Sequence, residues 1–189
     1  MLETGEMRIA PASIYNDSSL NPAIRDEELK LIVEYHPSNI KLEHYDSKNK
    51  KIMQIHPTGN LIKTIESSTN YYVYCISKSY EARLYEDFEA DSCLVIKDVN
   101  RFINAVATAF FEQVSKQWSC SAGLVKYIDP LLCPIKNIDV FFSKHFRYWY
   151  QSEYRMIWLP PKAEKEILPV FIKIGDMRNY CELINLKTI

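Results

Sequence analysis

Hydrophobic and polar positions change period several times along the chain, and each change marks an element. Met7-Arg8-Ile9-Ala10 alternates and reads as a short strand that stops at Pro11. Ser13 to Asn21 is turn-rich, and Asn21-Pro22 offers an N-cap followed by a first-position proline. A helix is therefore expected over Ala23–Tyr35, with Glu28 interrupting its apolar stripe between Ile24 and Leu31. Such a charge is expected on a solvated edge, the alternative being that it faces a site. Asn39–Asp46, Lys51–His56 and Asn60–Thr64 read as strands joined by turns at Ser47-Lys48-Asn49-Lys50 and Pro57-Thr58-Gly59. Tyr71–Ile76 is an unbroken run of strand formers expected to be buried on both faces, and Cys93–Ile96 is another short buried strand.

The clearest helix follows Asp98, a candidate N-cap. Val99, Phe102, Ile103, Val106, Ala107, Phe110, Phe111 and Val114 recur at helical spacing and form a core stripe. Leu124–Ile128 reads as a strand, followed by a loop punctuated by Pro130 and Pro134. Phe141–Tyr150 suits either a short helix or an extended loop. Glu153–Leu159 reads as a strand closed by Pro160-Pro161, and Leu168–Ile174 as another before Gly175-Asp176. With no repeat and no linker composition, the pattern predicts a single α+β domain over residues 1–189, mainly antiparallel strands with two principal helices.

Composition narrows the function classes. The 189 residues are 47% hydrophobic and 25% charged, enough for a substantial core without metal or disulfide support. A formal net charge of −1 argues against a protein that coats nucleic acid, but leaves room for a local basic patch. Five cysteines, an odd number without a C-x-x-C pair, indicate neither a disulfide framework nor a zinc knuckle. The first residues are acidic and no apolar run approaches the roughly 18 residues of a membrane span. A cytoplasmic protein without membrane contact is expected.

Several familiar sites are absent. Four scattered glycines provide neither a P-loop nor a dinucleotide G-x-G-x-x-G, and there is no G-x-S-x-G elbow or H-E-x-x-H. His36, His44, His56 and His145 lack ligand spacing. What remains is spread over three expected strands: Arg8 on the first, Ser77-Lys78-Ser79 closing the aromatic strand, and Gln151-Ser152-Glu153 opening the strand that ends at Pro160. In extended chain, residues two apart share a side, which pairs Ser77 with Ser79 and Gln151 with Glu153.

That ordered set resembles the Arg-Ser-Glu class of mono-ADP-ribosyltransferases. The resemblance implies an ADP-ribosyltransferase-like fold, NAD as co-substrate, and transfer of ADP-ribose to a macromolecule, as in toxins of toxin–antitoxin or phage-defence cassettes, where an antitoxin partner would be expected. Carried over residue by residue, it gives Arg8 the NAD phosphate or ribose, Ser77 and Ser79 the nicotinamide ribose, and Glu153 the ribose hydroxyl and the oxocarbenium-like charge. Ser77 also orients Glu153, and Gln151 positions the acceptor. Tyr71, Tyr72 or Tyr80 would stack on nicotinamide. Lys78 replaces the small middle residue usual in the serine motif. Tyr15-Asn16-Asp17 has no counterpart there and reads as a buttress or a turn.

Lys144-His145-Phe146-Arg147-Tyr148-Trp149-Tyr150 interleaves cations with aromatics just before Gln151. One reading makes Arg147, Tyr148 and Trp149 an acceptor surface for single-stranded nucleic acid; protein side chains are the other acceptor class. The plainer reading packs the rings in the core and leaves the cations outside. The acidic runs Asp26-Glu27-Glu28 and Glu86-Asp87 with Glu89 and Asp91 are expected on solvated faces. They support an alternative, a metal-dependent nuclease, and a non-catalytic binding module is a further one.

Overall fold

The computed structural model describes residues 2–129 and 138–185. The expected loop at Pro130 and Pro134 lies outside them. Strands are β1 (Glu6–Pro11), β2 (Lys30–Tyr35), β3 (Leu42–Asp46), β4 (Lys51–Ile55), β5 (Leu61–Glu66), β6 (Tyr72–Ser77) and β7 (Ser92–Ile96). They continue as β8 (Ser119–Leu124), β9 (Lys126–Ile128), β10 (Ser143–His145), β11 (Glu153–Leu159), β12 (Val170–Lys173) and β13 (Cys181–Asn185). The helices are α1 (Arg83–Asp87) and α2 (Val99–Gln113). The architecture is α+β with mostly antiparallel strands, and no helix among the described residues is long and apolar enough to cross a membrane.

A five-stranded antiparallel sheet in the order β12-β1-β6-β11-β8 organises the molecule. One face carries the main core. Asp98 caps α2 by accepting from the Arg101 N–H at 3.0 Å, as its position before the apolar stripe predicts. Phe102, Val106 and Phe110 on that helix are fully buried against Tyr72, Met156 and Trp158 of the sheet. Phe110 stacks on Trp158 with ring centroids 4.5 Å apart. The antiparallel pair β7–β13 adds Leu94, Ile96 and Cys181 to this core. The opposite face has only a small apolar cluster, Ala12, Tyr71, Val73 and Ile157, beside a group of buried charges.

The expected helix over Ala23–Tyr35 does not form. Asn21 caps a single turn, its side chain accepting from the Ala23 N–H and its carbonyl from Ile24 and Arg25. The chain then extends into β2, which pairs antiparallel with β5. From Leu29 the sequence alternates Leu-Lys-Leu-Ile-Val-Glu-Tyr, and Val33 and Tyr35 are buried together on the side of Ile40. That period of two, with two β-branched residues at its centre, outweighs the cap. Two further strands, β8 and β13, lack a strand-like composition. The Ser-Cys-Ser-Ala-Gly-Leu of β8 becomes a strand because it pairs residue by residue with β11. Tyr71–Ile76 is buried at its start only: Tyr71, Tyr72 and Val73 are inside, whereas from Tyr74 to Ser77 half-buried residues alternate with exposed ones.

Candidate functional site

Cross-strand register brings the sequence candidates to the second face of the sheet. Glu153 lies directly opposite Ser77, and Arg155 opposite Cys75. Ala10 is opposite Val73, so Arg8, two residues earlier, projects from the same face of β1. Arg8 is exposed there. The Ser77 hydroxyl has the Ser79 carbonyl at 2.7 Å and the Gln151 carbonyl at 2.8 Å, tying the end of β6 to the entrance of β11. It does not contact the Glu153 carboxylate; its two partners are backbone oxygens. Ser79 and Tyr80 lie exposed beyond the strand end, with the Tyr80 ring edge-on to Tyr85.

Glu153 is buried and doubly ion-paired. Its Oε1 accepts from Lys144 Nζ at 2.5 Å, and its Oε2 from Arg155 Nε and Nη2 at 3.2 and 3.1 Å. Arg155 is wholly buried and spends all its donors: the rest go to Glu28 at 2.8 and 2.9 Å and to the Phe141 carbonyl at 2.9 Å. Such a fork between two carboxylates suits guanidinium geometry. Lys144 Nζ also reaches Gln151 Oε1 at 3.0 Å, Asp26 Oδ2 at 3.5 Å and Glu28 Oε1 at 3.9 Å, and sits 4.5 Å from the centre of the Tyr148 ring. The cluster therefore sets three carboxylates, Asp26, Glu28 and Glu153, against two cations.

Burial and charge push the two central carboxylates apart. Burial of Glu28 raises its pKa to about 7 despite Arg155 and Lys144. For Glu153, burial pushes the same way but is outweighed by Lys144 and Arg155, so its pKa falls below the usual carboxylate value. Glu28 was expected at a solvated edge; it is buried at the centre of the site. Its position follows from the failed helix, because the extended approach to β2 turns Asp26 and Glu28 inward. The sequence signal was available in the alternation after Leu29, which moves residue 28 off any helical face.

The Tyr15-Asn16-Asp17 segment belongs here as well. A short 3-10 helix, Ala12–Asn16, lays Tyr15 over the face, packed on the small apolar cluster. Burial, then Cys75 and Glu28, raise its hydroxyl to about 12, while Arg8 acts in the opposite sense. Tyr71 is fully buried, edge-on to Phe141, with its hydroxyl donating to the Glu28 carbonyl at 2.9 Å. No ring face is left on which nicotinamide could stack, so Tyr71 supports Glu28 instead. Tyr72 is buried on the opposite face of the sheet against Phe110.

Gln151 is buried, donating to the Ala23 carbonyl at 2.8 Å and accepting from Lys144. Both ends of its amide are occupied within the protein, so it braces Lys144 and has no group free for an acceptor. The segment before it meets the plainer expectation of rings inside and cations outside only at Tyr148 and Arg147. Lys144 and Tyr148 are inside, the Tyr148 hydroxyl donating to the Arg25 carbonyl at 2.8 Å, whereas Arg147, Phe146 and Trp149 are exposed. A cleft of about 230 Å³ opens beside this segment, lined by Asp26, Glu28, Lys30, Lys144, His145 and Arg147. Glu28 is thus buried where the acidic run suggested a solvated face, and Asp26 is half-buried at the cleft, but the two do not form a metal site. Lys144 and Arg155 occupy the space between the carboxylates, and among the described residues no group of three or more His, Cys, Asp or Glu could hold an ion. No family model, curated protein or solved structure matches the chain.

Proposed function

We propose that the chain transfers ADP-ribose from NAD to a macromolecular acceptor, nucleic acid being the favoured class. The observation that carries the reading is the adjacency of Arg8, Ser77 and Glu153 on three neighbouring antiparallel strands, β1, β6 and β11, with one shared face. In this reading the exposed Arg8 takes a phosphate of NAD, and Ser77, directly across from Glu153, borders the nicotinamide ribose. Glu153 is kept ionised by Lys144 and Arg155, as a group facing a developing positive charge must be. With Glu28 also ionised, three carboxylates exceed two cations by one charge, which the oxocarbenium-like ribose would neutralise. The C1′–N bond breaks with its electron pair going to nicotinamide. An acceptor oxygen or nitrogen then bonds to C1′ and loses its proton to water. Gln151 acts as a positioning residue for Lys144.

The test is incubation with labelled NAD and separate pools of RNA, DNA and cell protein, with nicotinamide release measured in parallel. Wild type should label one pool, and Glu153→Gln should lower both readouts by about 10²- to 10³-fold, the range for removing one electrostatic stabiliser. Absence of both nicotinamide release and label in the wild type would refute the reading. Metal-stimulated cleavage of nucleic acid without NAD would replace it with the nuclease alternative.

A further inference from the structure

The 3-10 helix Phe146–Gln151 sorts its six residues by threes, because at three residues per turn i and i+3 eclipse one another. Tyr148 and Gln151 point inward to the charged cluster. Arg147 and Tyr150 flank the helix, Arg83 lying 4.0 Å over the Tyr150 ring. Phe146 and Trp149 form the outer pair, 52% and 59% exposed, with planes 16° from parallel and centroids 6.4 Å apart. Three residues at about 2 Å each displace eclipsed side chains by about 6 Å along the axis, so the separation follows from the helix type. Carbon surfaces touch at about 3.5–4.0 Å, and a flat ring held between two others needs about 7 Å. The observed centroid separation falls about 0.6 Å short of that, so the two exposed rings must part slightly to take a ring between them.

We propose that Phe146 and Trp149 clamp one unpaired base of single-stranded nucleic acid. The near-parallel plates suit a group one ring thick, and a base offers two flat faces to them. The surroundings suit the phosphates. Exposed Arg147, which donates to the Tyr148 hydroxyl, follows Phe146, exposed Arg25 lends its carbonyl to Tyr148, and exposed Lys126 lies on β9, which pairs with β10 next to this helix. Base–aromatic stacking with cations on the backbone is the general mode of single-strand binding. One residue, Ser152, separates the helix from Glu153, and the cleft beside Arg147 and His145 is lined by Asp26, Glu28 and Lys144 of the charged cluster, so a strand held here lies next to that cluster. This deepens the proposed function by naming how the acceptor is held, and it rests on that reading only for the step after binding.

The probe is a fluorescently labelled decamer of A, as single-stranded RNA and DNA and as the matching duplexes. Affinity is read by anisotropy, and contact by tryptophan emission that is lost in Trp149→Ala, since Trp149 is exposed whereas Trp118 is half-buried and Trp158 buried. Single strands should bind, more weakly at higher salt, and quench the emission. Phe146→Ala and Trp149→Ala should each weaken binding about tenfold or more, with circular dichroism unchanged. Duplexes should bind wild type no better than single strands bind the variants. Absent binding, equal affinity for duplex and single strand, or unaffected variants would overturn the proposal. So would quenching by NAD alone that competes with the decamer, which would assign the rings to the co-substrate, or quenching by cell protein but not by the decamer. Nicotinamide release, dependent on Glu153, is measured separately. Release without clamp-dependent binding fails the clamp alone, and clamp-dependent binding without release fails the transfer reading alone.

Discussion

Strand β11 buries both of its faces by opposite means. Tyr154, Met156 and Trp158 turn to the α2 side, where Met156 and Trp158 meet Phe102, Phe110 and Tyr72 in an apolar core. Glu153 and Arg155 turn the other way and are equally hidden, but inside a web of ion pairs with Glu28 and Lys144. The first arrangement is stabilised by area and packing, and partial losses are tolerated in proportion. The second is held by mutual dependence, since taking charges out of water costs several kcal/mol per ion unless every partner is present. A buried charge web is a poor choice for stability alone. Under the proposed function, the face that carries it is the working side and the other face is ordinary core.

The contrast can be broken most severely at Arg155. Arg155→Met should cost about 3–5 kcal/mol in urea unfolding, because it strands Glu28 and Glu153 without their shared partner. Adding Glu28→Leu should return a good part of that loss while nicotinamide release stays lost; additive costs would show that the web is not coupled. On the apolar face, Trp158→Leu should cost about 2–4 kcal/mol through the cavity it leaves. Its residual activity at low temperature should remain near wild type, whereas activity lost in the folded variant would mean the two faces are not separate.

Acidity separates the faces further. The folded-state pKa of Glu28, about 7, lies above its ordinary 4.5, so the native state holds the proton more tightly than the unfolded chain. Its contribution to stability is full below about 4.5 and is lost as pH rises through 7, a change on the order of 3 kcal/mol. Glu153 has the opposite sign: its pKa is lowered, so its contribution is present above the usual carboxylate value and lost as pH falls through the folded one. Glu28→Gln should flatten the neutral limb of an unfolding-midpoint profile and leave the acidic limb. Nicotinamide release should rise as Glu28 ionises through about 7, and that rise should vanish in the same variant. The smallest effect is expected at the α2 cap, where Asp98→Ala should cost about 1 kcal/mol and leave activity unchanged.

How much of this is legible in sequence differs between the same two faces. The α2 stripe and the β11 strand announce themselves, because apolar period and flanking signals agree at Asp98 and at Pro160-Pro161. Arg8, Ser77 and Glu153 can be placed on strands by the same logic, but their common face comes only from the order and register of the folded sheet. Glu28, Lys144 and Arg155 cannot be read that way. Glu28 sits between a capped turn and a strand, where a local N-cap signal competes with a period of two. Arg155 looks like the outward residue of an alternating strand, and only the two carboxylates of Glu28 and Glu153 make its burial possible. Lys144 sits among rings that suggest a surface, yet its ammonium group is drawn inside by Glu153. Charges that are buried through one another leave no mark in any single segment.

Ser152 joins the 3-10 helix to β11 in the left-handed region, φ 44°, a conformation seldom adopted by residues other than glycine, asparagine or aspartate. Its N–H donates to the Trp149 carbonyl and its own carbonyl accepts from the Lys78 N–H, so the joint is pinned to both neighbours. Because side chains alternate along β11, one residue gained or lost at this joint would turn Tyr154, Met156 and Trp158 toward the charges and drive Glu153 and Arg155 into the apolar core. The loops around β3, β4 and β5 can change length without such a penalty. Between Phe146 and Glu153 the chain length is therefore fixed as strictly as any side chain, and insertions or deletions there should be lethal to folding even where every substitution is tolerated.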